Sequence, residues 1–266
     1  MVDQNRILTA ARFLWEEHQA RKPFGPVPEP YTPKNIDEAY AVQEEFQRLL
    51  VEKHGPIAGY KIALTTPVMR QMVKVNEPVI GAIFARTVHH SDVVIRTADH
   101  VRLGVECEIA VQLGADLPAA EAPYTRNKVD NAVGVVMAAF ELVDDRKADY
   151  AKLAAQVFSS IADNSWNAGI VLGPEIKDWQ SLDLAAAHGQ MLINDALVGE
   201  GWGRDVMGHP LEALAWLANL FAKRGKNLSK GMIVLTGSVV ATKFVNPGDT
   251  VRFSSKGLGE VRIQIA

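Results

Sequence analysis

Val105-Glu106-Cys107-Glu108-Ile109 is the stretch that decides how this sequence folds. Side chains along a β-strand alternate between its two faces, so a strand here would carry both glutamates on one face and three apolar residues on the other. The apolar pattern continues to Leu113. The pattern therefore predicts a strand over 105–113 that carries two glutamates on one face.

Further short β-branched runs, broken by Gly, Pro and Asn, surround this stretch from residue 56 onward. Besides 105–113, the predicted strands cover residues 92–96, 168–172, 190–198, 232–235, 250–254 and 260–265. Asn194-Asp195 interrupts one of these runs as a tight-turn candidate, and Asn246-Pro247-Gly248-Asp249 is a second turn before the last strands. This part of the chain is predicted to be a sheet with many hairpins.

Helical patterns precede the sheet and interrupt it once. Apolar residues at spacings of three and four predict a helix over 4–19, and Asn35 can cap a second helix that ends at Gly55. Pro210 opens a third helix that ends near Gly225. We therefore predict a helical N-terminal segment over 1–55 and a β-rich domain over 56–266, which together form one continuous unit.

Composition limits the classes of function. A formal net charge of −3 over 266 residues leaves no broad basic surface for nucleic acid. The single cysteine, Cys107, excludes an internal disulfide and any multi-cysteine metal site, which fits a reducing cytoplasm. The charged N-terminus does not resemble a signal peptide, and no window approaches the roughly 20 apolar residues of a membrane span. We expect a cytoplasmic protein without nucleic-acid or membrane partners.

Carboxylates are the chief candidates for chemistry. Glu106 and Glu108 on one strand face would repel each other unless a cation, shared protons or open water compensated them, and a solvated face of an edge strand is the plain alternative. Glu141 ends another apolar run and is a candidate third ligand, or else the partner of Arg146 or of a lysine. Three carboxylates without histidine would suit magnesium, manganese or calcium rather than zinc.

Other polar residues lie in apolar surroundings or at strand ends. Lys61 lies in an apolar segment and needs an anionic partner, either a substrate carboxylate or a structural acid. Thr236-Gly237-Ser238 ends a predicted strand and forms either a carboxylate cradle or an ordinary turn. Asp163 begins a polar loop before another strand, and such loops often line sites. Serine-hydrolase, NTPase and dinucleotide-binding motifs are absent from the sequence.

In the order and spacing of its motifs the chain resembles the 2-keto-4-pentenoate hydratase and 4-oxalocrotonate decarboxylase family, within the fumarylacetoacetate hydrolase superfamily. The resemblance runs nearly from end to end. The motifs are Ala39-Tyr40-Ala41-Val42-Gln43, Gly59-Tyr60-Lys61-Ile62-Ala63-Leu64-Thr65, Glu106-Cys107-Glu108, Phe140-Glu141-Leu142-Val143-Asp144, Asp163-Asn164, Gly208-His209-Pro210, Leu235-Thr236-Gly237-Ser238 and Pro247-Gly248-Asp249.

This resemblance implies an α/β (α+β) fold of the fumarylacetoacetase C-terminal type, with a highly curved mixed β-sheet core, flanking helices and a helical N-terminal segment. It implies that Glu106, Glu108 and Glu141 bind magnesium or manganese and that a 2-oxo acid chelates this cation. Lys61 and the Thr236–Ser238 turn would hold the substrate's anionic groups, with Asp163 as a further substrate contact. It also implies a homo-oligomer, and we expect association with other enzymes of the same catabolic pathway.

The favoured hypothesis is a hydratase of 2-hydroxy-2,4-dienoates in aromatic meta-cleavage catabolism. Alternatives on the same scaffold are decarboxylation of a 4-oxalocrotonate-type acid and hydrolysis of an acylpyruvate. Outside enzymes, a non-catalytic oxo-acid-binding oligomer and a purely structural protein with a solvated acidic face stay open. Two residues depart from the resembled pattern: Val79 replaces an acid found in hydratases, and Trp166 enlarges a loop of smaller residues and could reshape the pocket.

Overall fold

The computed structural model describes residues 3–266. The helices are α1 Gln4–Gln19, α2 Ile36–His54, α3 Pro67–Val73, α4 Arg126–Asp130, α5 Leu153–Ala162 and α6 Pro210–Lys223. The strands are β1 Ile57–Ala63, β2 Val79–Phe84, β3 Val88–His90, β4 Val93–Ile95, β5 Leu103–Leu113, β6 Val133–Asp144, β7 Asn167–Leu172, β8 His188–Ile193, β9 Ala196–Trp202, β10 Ile233–Phe244, β11 Thr250–Ser255 and β12 Gly259–Ile265.

Local capping accounts for the ends of the predicted helices. The side chain of Asn35 accepts a hydrogen bond of 2.9 Å from the backbone N–H of Glu38, and α2 stops at Gly55, whose φ of 78° suits glycine. His209 caps α6 through its Nδ1, which accepts from the N–H of Leu211 at 3.0 Å. The three helices predicted from the sequence are therefore confirmed, and His209 serves as a helix cap.

The strands form two mixed sheets. Seven strands run in the order β2-β1-β10-β5-β6-β7-β3, and five run in the order β4-β12-β11-β8-β9. Most neighbours are antiparallel, but β1–β10, β3–β7 and β4–β12 are parallel pairs. β5 and β6 lie in the middle of the larger sheet, so the stretch 105–109 lies in a central strand.

The larger sheet curls until its two ends approach each other. The side-chain amide of Asn164, just before β7, accepts from Ala82 N at 2.7 Å and donates to Ala82 O at 2.9 Å in β2. An ideal Cβ on Gly81 would lie 2.4 Å from Asn164 O, so only glycine permits this approach. One apolar cluster lines the curled sheet and includes Ile83, Ala110, Met137, Ile170 and Leu235. The expected highly curved mixed sheet with flanking helices is confirmed.

Strand predictions are right where turns mark the boundaries and wrong where they do not. The Asn194-Asp195 turn is confirmed, because Ile193 pairs with Ala196 across it. The strand predicted over 232–235 is too short: β10 continues to Phe244 through bulges that the sequence does not mark. Four strands were not predicted: β3, which has only three residues, and β1, β2 and β6, whose apolar runs lack clear alternation.

The N-terminal helices share a core with the sheet. Leu14 of α1 and Phe46 of α2 pack in one buried cluster with Ala82 and Phe84 of β2 and Ala162 of α5. This shared core supports a single continuous unit, while the boundary between residues 55 and 56 stays a prediction. None of the helices within residues 3–266 has the length and apolar composition required to cross a membrane.

Candidate metal centre

The pairing of β5 with β6 brings the three predicted carboxylates together. Glu106 lies directly opposite Glu141, and Glu108 follows two residues along the same face. Each side chain offers an oxygen that lies within 4.8 Å of an oxygen from each of the others. We call this group the acidic triad. Because β5 is central and Glu108 is fully buried, the alternative of a solvated edge-strand face is wrong.

Two triad carboxylates each have one oxygen held by a protein donor. The hydroxyl of Thr242 in β10 donates to Glu106 Oε1, and the backbone N–H of Gly237 donates to Glu108 Oε2 at 2.7 Å. The second oxygen of Glu108 is buried and has no hydrogen-bond partner within residues 3–266. A buried carboxylate oxygen without a donor is costly, which makes it a candidate cation ligand.

Glu141 follows the same pattern with two donors on a single oxygen. Its Oε1 lies 3.0 Å from Lys61 Nζ and accepts a 3.0 Å hydrogen bond from Asn167 Nδ2. The Lys61 side chain is almost fully buried, and its anionic partner in this structure is an acid of the protein itself, Glu141. Of the two partners foreseen for Glu141, the lysine is the one observed.

A bulge in β10 produces the contact with Glu108. Leu235 pairs with Ala110 and Ser238 pairs with Glu108. Between these two pairs β10 has one more residue than β5, which is a β-bulge. The extra residue turns the Gly237 N–H toward the carboxylate. Gly237 has a φ of +125°, and an ideal Cβ there would lie 2.5 Å from Thr65 Cγ2. Glycine is required here for both reasons.

The charges of the centre do not balance. Burial, reinforced by Glu141, raises the pKa of Glu106 to about 7, and burial together with its acidic neighbours raises the pKa of Glu108 well above its ordinary value. Burial alone would lower the pKa of Lys61, but the glutamates outweigh it and raise that pKa. These raised pKa values result from three buried acidic side chains around one described ammonium, and a divalent cation would neutralise the excess negative charge of their ionised forms.

A strained turn positions Asn167. Asn164, Ser165 and Trp166 have φ values of 51°, 47° and 61°, a left-handed conformation that costs each non-glycine residue about 1–2 kcal/mol. Two contacts hold the turn in place. The Asn164 side chain makes two hydrogen bonds to the backbone of Ala82, which we call the Asn164 clamp, and Ser165 Oγ donates to Ile80 O at 2.9 Å. Asn167 then begins β7 with its amide directed at the triad.

Asp163 lies in a different cluster. Its Oδ2 accepts from Arg146 Nη2 at 2.6 Å, and its Oδ1 lies 2.5 Å from His18 Nε2. We call these three residues the Asp163 cluster. Both carboxylate oxygens are already engaged and the residue is buried, so Asp163 is not brought together with the triad. These contacts favour a structural role, and the predicted substrate contact stays untested.

Thr236 and Ser238 flank the glycine that holds Glu108, so the structure places them beside the centre. The Thr236 hydroxyl donates to Ile109 O at 2.8 Å, and the Ser238 hydroxyl contacts Val240 O. Each hydroxyl hydrogen is therefore used within the protein, and only the hydroxyl lone pairs are free without rotation. Their role as substrate contacts stays a prediction.

Sequence analysis missed two residues of the site. Thr242 lies beyond the predicted end of its strand, and only the bulges of β10 bring it opposite the acidic pair. Asn167 lies within the polar loop that begins at Asp163, but nothing in its spacing singled it out. Their common signal is a polar side chain inside an apolar strand pattern, which the longer strand bounds of the structure reveal.

The two departures from the expected pattern have definite positions. Val79 opens β2, is 2% exposed and pairs with Ala63, two residues along from the pair of Lys61 with Gly81. It therefore points to the same sheet face as Lys61. Trp166 packs edge-on against Phe24 with ring centroids 5.2 Å apart. The first departure thus puts an apolar residue on the sheet face of Lys61, and the second puts an aromatic contact at the turn before β7.

Fold and site together define a protein that encloses a carboxylate centre for one hard divalent cation within a curled mixed sheet. Residues 66–266 match the C-terminal domain of fumarylacetoacetate (FAA) hydrolase. The chain belongs to the fumarylacetoacetate hydrolase family, as its motifs had indicated.

Individual relatives extend the match to the whole chain. The chain is 32% identical to a 2-keto-4-pentenoate hydratase of Paraburkholderia phymatum over 98% of each protein. It is 31% identical to a 2-hydroxyhexa-2,4-dienoate hydratase of Comamonas testosteroni over 99% of each. The solved structure of 4-oxalocrotonate decarboxylase from Pseudomonas putida, complexed with magnesium and adipate, superimposes with a TM-score of 0.91 at 26% identity, covering 100% of this chain and 99% of that one.

Proposed function

We propose that this chain is a metal-dependent hydratase that adds water to a 2-hydroxy-2,4-dienoate and yields a 4-hydroxy-2-oxo acid. The observation that carries the proposal is the acidic triad beside a buried, ion-paired Lys61, in a chain about 30% identical to several hydratases over nearly its whole length. We assign Glu106, Glu108 and Glu141 as ligands of magnesium or manganese.

A divalent cation held by the triad would supply Lewis-acid polarisation of the substrate's 2-oxo group. The residues of the chain have complementary tasks. Lys61 keeps its proton because its pKa is raised, so in this arrangement it serves as a hydrogen-bond donor toward an anionic group rather than as a base. The buried surroundings of Glu108 and Glu141 exclude bulk water and strengthen these interactions.

For the substrate we assign a small 2-oxo acid and its dienol form. One proton is delivered to carbon as the dienol ketonises, and one water then adds at the distal alkene carbon. Lys61 is proposed to donate to the anionic end of the substrate. Thr236 and Ser238 are proposed as further substrate contacts, and the free lone pairs of their hydroxyls suit a water or a substrate hydroxyl rather than a carboxylate. Asp163 is the weakest assignment, because its oxygens already bind other residues.

Decarboxylation of a 4-oxalocrotonate-type acid is the second candidate, and Val79 favours it. Decarboxylation needs the same electron sink but no activated water, so an apolar residue on the Lys61 face would be tolerated. The structural match to a 4-oxalocrotonate decarboxylase supports this alternative as well.

The test follows turnover of 2-hydroxypenta-2,4-dienoate and of 4-oxalocrotonate by ultraviolet absorbance, with magnesium or manganese, for wild type and Glu106→Gln. Cation-dependent formation of 4-hydroxy-2-oxopentanoate that is lost in Glu106→Gln would support the hydratase. Turnover of 4-oxalocrotonate alone would transfer the assignment to decarboxylation. Tight binding of an oxo acid without turnover of either would point to the non-catalytic oligomer instead.

Exposed apolar side chains bear on the assembly of the chain. We infer a homo-oligomer, and exposed large apolar residues such as Leu197, Trp202 and Phe244 offer surface for it. Light scattering of the purified chain tests this inference, and a monomer at micromolar concentration would contradict it. Association with other enzymes of the same catabolic pathway and a cytoplasmic location stay predictions.

A further inference from the structure

The hydrogen-bond donors around the acidic triad contact one oxygen of each glutamate. Thr242 holds one oxygen of Glu106, Gly237 holds one oxygen of Glu108, and one oxygen of Glu141 receives both of its donors. Each glutamate thus keeps one oxygen without a donor from the described part of the chain. The triad presents three single oxygens rather than three chelating carboxylates.

We propose that Thr242 and Asn167 are positioning residues that select the cation by restricting Glu106 and Glu141 to one ligand oxygen each. The inference rests on the proposed metal centre and deepens it. Three single oxygens leave three positions of an octahedron for water and substrate, which suits the small, strictly octahedral Mg²⁺. Ca²⁺ takes six to eight oxygens and favours bidentate carboxylates, so the held oxygens work against it.

The two residues act on their carboxylates with different strength. Thr242 is the only described donor to Glu106 Oε1, so its removal frees that oxygen completely. Asn167 shares Glu141 Oε1 with Lys61, whose ammonium stays in place when the amide is lost. Loss of Thr242 is therefore expected to change cation choice more than loss of Asn167.

The positions of these donors suit a fixed restraint. Thr242 lies on β10 and Asn167 on β7, the two strands that flank the central β5–β6 pair. Asn167 is further fixed by the Asn164 clamp at the start of its strand. Donors on paired strands cannot follow a carboxylate that rotates toward a larger ion, so rotation breaks the hydrogen bond instead.

The experiment is calorimetric titration of the metal-free full chain with MgCl₂ and, separately, with CaCl₂. The variants are Thr242→Val, which keeps the side-chain shape, Thr242→Ser, which restores the hydroxyl, and Asn167→Leu. Thr87→Val is the matched control, because Thr87 loses a comparable hydroxyl bond, to Phe84 O at 3.0 Å, away from the triad. Thermal unfolding of each metal-free variant identifies any that fail to fold.

We expect Thr242→Val to lower the ratio of Mg²⁺ to Ca²⁺ affinity by about 10-fold or more, since loss of an outer-shell partner typically costs about 10–100-fold in metal affinity. Asn167→Leu should lower the ratio by a smaller factor, and Thr242→Ser and Thr87→Val should keep the wild-type ratio. A ratio in Thr242→Val within twofold of wild type, or Thr242→Ser behaving like Thr242→Val, would overturn the inference alone. Absence of binding in wild type would remove the proposed centre and this inference with it.

Discussion

The acidic triad and the Asp163 cluster are two buried groups of charges at opposite ends of the same polar turn, and they differ in their balance. The triad sets three carboxylates against the single ammonium of Lys61. The Asp163 cluster sets one carboxylate between a guanidinium and an imidazole. The first is incomplete without a further cation, whereas the second satisfies itself. Charge balance thus separates a binding centre from a structural element.

The pKa directions express the same difference. Burial raises the pKa of Glu106 to about 7, reinforced by Glu141. Burial also acts to raise the pKa of Asp163, but His18 and Arg146 outweigh it and hold that pKa below its ordinary value. The surroundings of the triad therefore oppose the ionisation of Glu106, whereas the Asp163 cluster favours the ionisation of Asp163.

Glu108→Gln should produce the largest effect. It replaces a fully buried carboxyl group that we assign as a metal ligand with a neutral amide, which binds a hard cation poorly. We expect kcat/KM to fall by more than about 1,000-fold, together with loss of measurable Mg²⁺ binding. Steady-state kinetics and calorimetry measure both. Exposed Glu175→Gln is the control, and a Glu108→Gln variant with wild-type Mg²⁺ affinity would contradict the assignment.

Asp163→Asn should affect stability instead of binding. It leaves the almost fully buried Arg146 without its carboxylate, and breaking a buried pair costs about 3 kcal/mol or more in the free energy of unfolding. Urea unfolding measures this cost, with exposed Asp130→Asn for comparison. Mg²⁺ affinity should stay at the wild-type value. A variant of wild-type stability with a raised KM would instead favour the predicted substrate contact.

Lys61→Met should test the role of charge at the triad, because it removes the one ammonium that contacts the triad within residues 3–266. We expect the affinity for Mg²⁺ to rise by at least about tenfold, since the cation no longer competes with a buried positive charge. Turnover should fall at the same time, because the proposed hydrogen-bond donor to the substrate is lost. Lys177→Met, at an exposed site, is the control. Weaker Mg²⁺ binding in Lys61→Met would show that Lys61 chiefly organises the ligands.

The smallest expected effect is on the pH dependence of the free energy of unfolding. As pH rises, the contribution of Glu106 should fall and that of Asp163 should increase. In the metal-free chain Glu106 binds its proton more tightly when folded, so its contribution to stability falls as pH rises from about 4.5 to about 7. Asp163 has a depressed folded pKa, so its contribution is present above about 3.9 and is lost as pH falls through the folded pKa.

Urea unfolding of metal-free protein between pH 3 and pH 8 checks both signs. Glu106→Gln should reduce the loss of stability between pH 5 and pH 7. Asp163→Asn should remove the part of the stability loss at acid pH that Asp163 causes. Because binding displaces the Glu106 proton, Mg²⁺ affinity should also rise by up to about tenfold per pH unit below 7. A Mg²⁺ affinity that does not change between pH 6 and pH 7 would contradict the raised pKa of Glu106.

The predictable part of the site followed from local rules. Alternation along 105–109 put Glu106 and Glu108 on one face, and Lys61 in an apolar segment required an anionic partner; both expectations hold. Asp163 was predicted as a site residue because it begins a polar loop. In the structure its two carboxylate oxygens contact His18 and Arg146 instead. Thr242 could not be predicted, because its register depends on bulges in β10.

By itself the sequence determined the Asn35 cap, the strand with two glutamates on one face and the family, because these depend on residue spacing within short segments and on motif order. The tertiary structure decided which carboxylate belongs to which cluster, which oxygen of each glutamate is held, and that Lys61 pairs with Glu141. These are choices among partners far apart in the chain. Strand pairing and burial decide them, since only a dry, fixed environment makes one partner much more favourable than another.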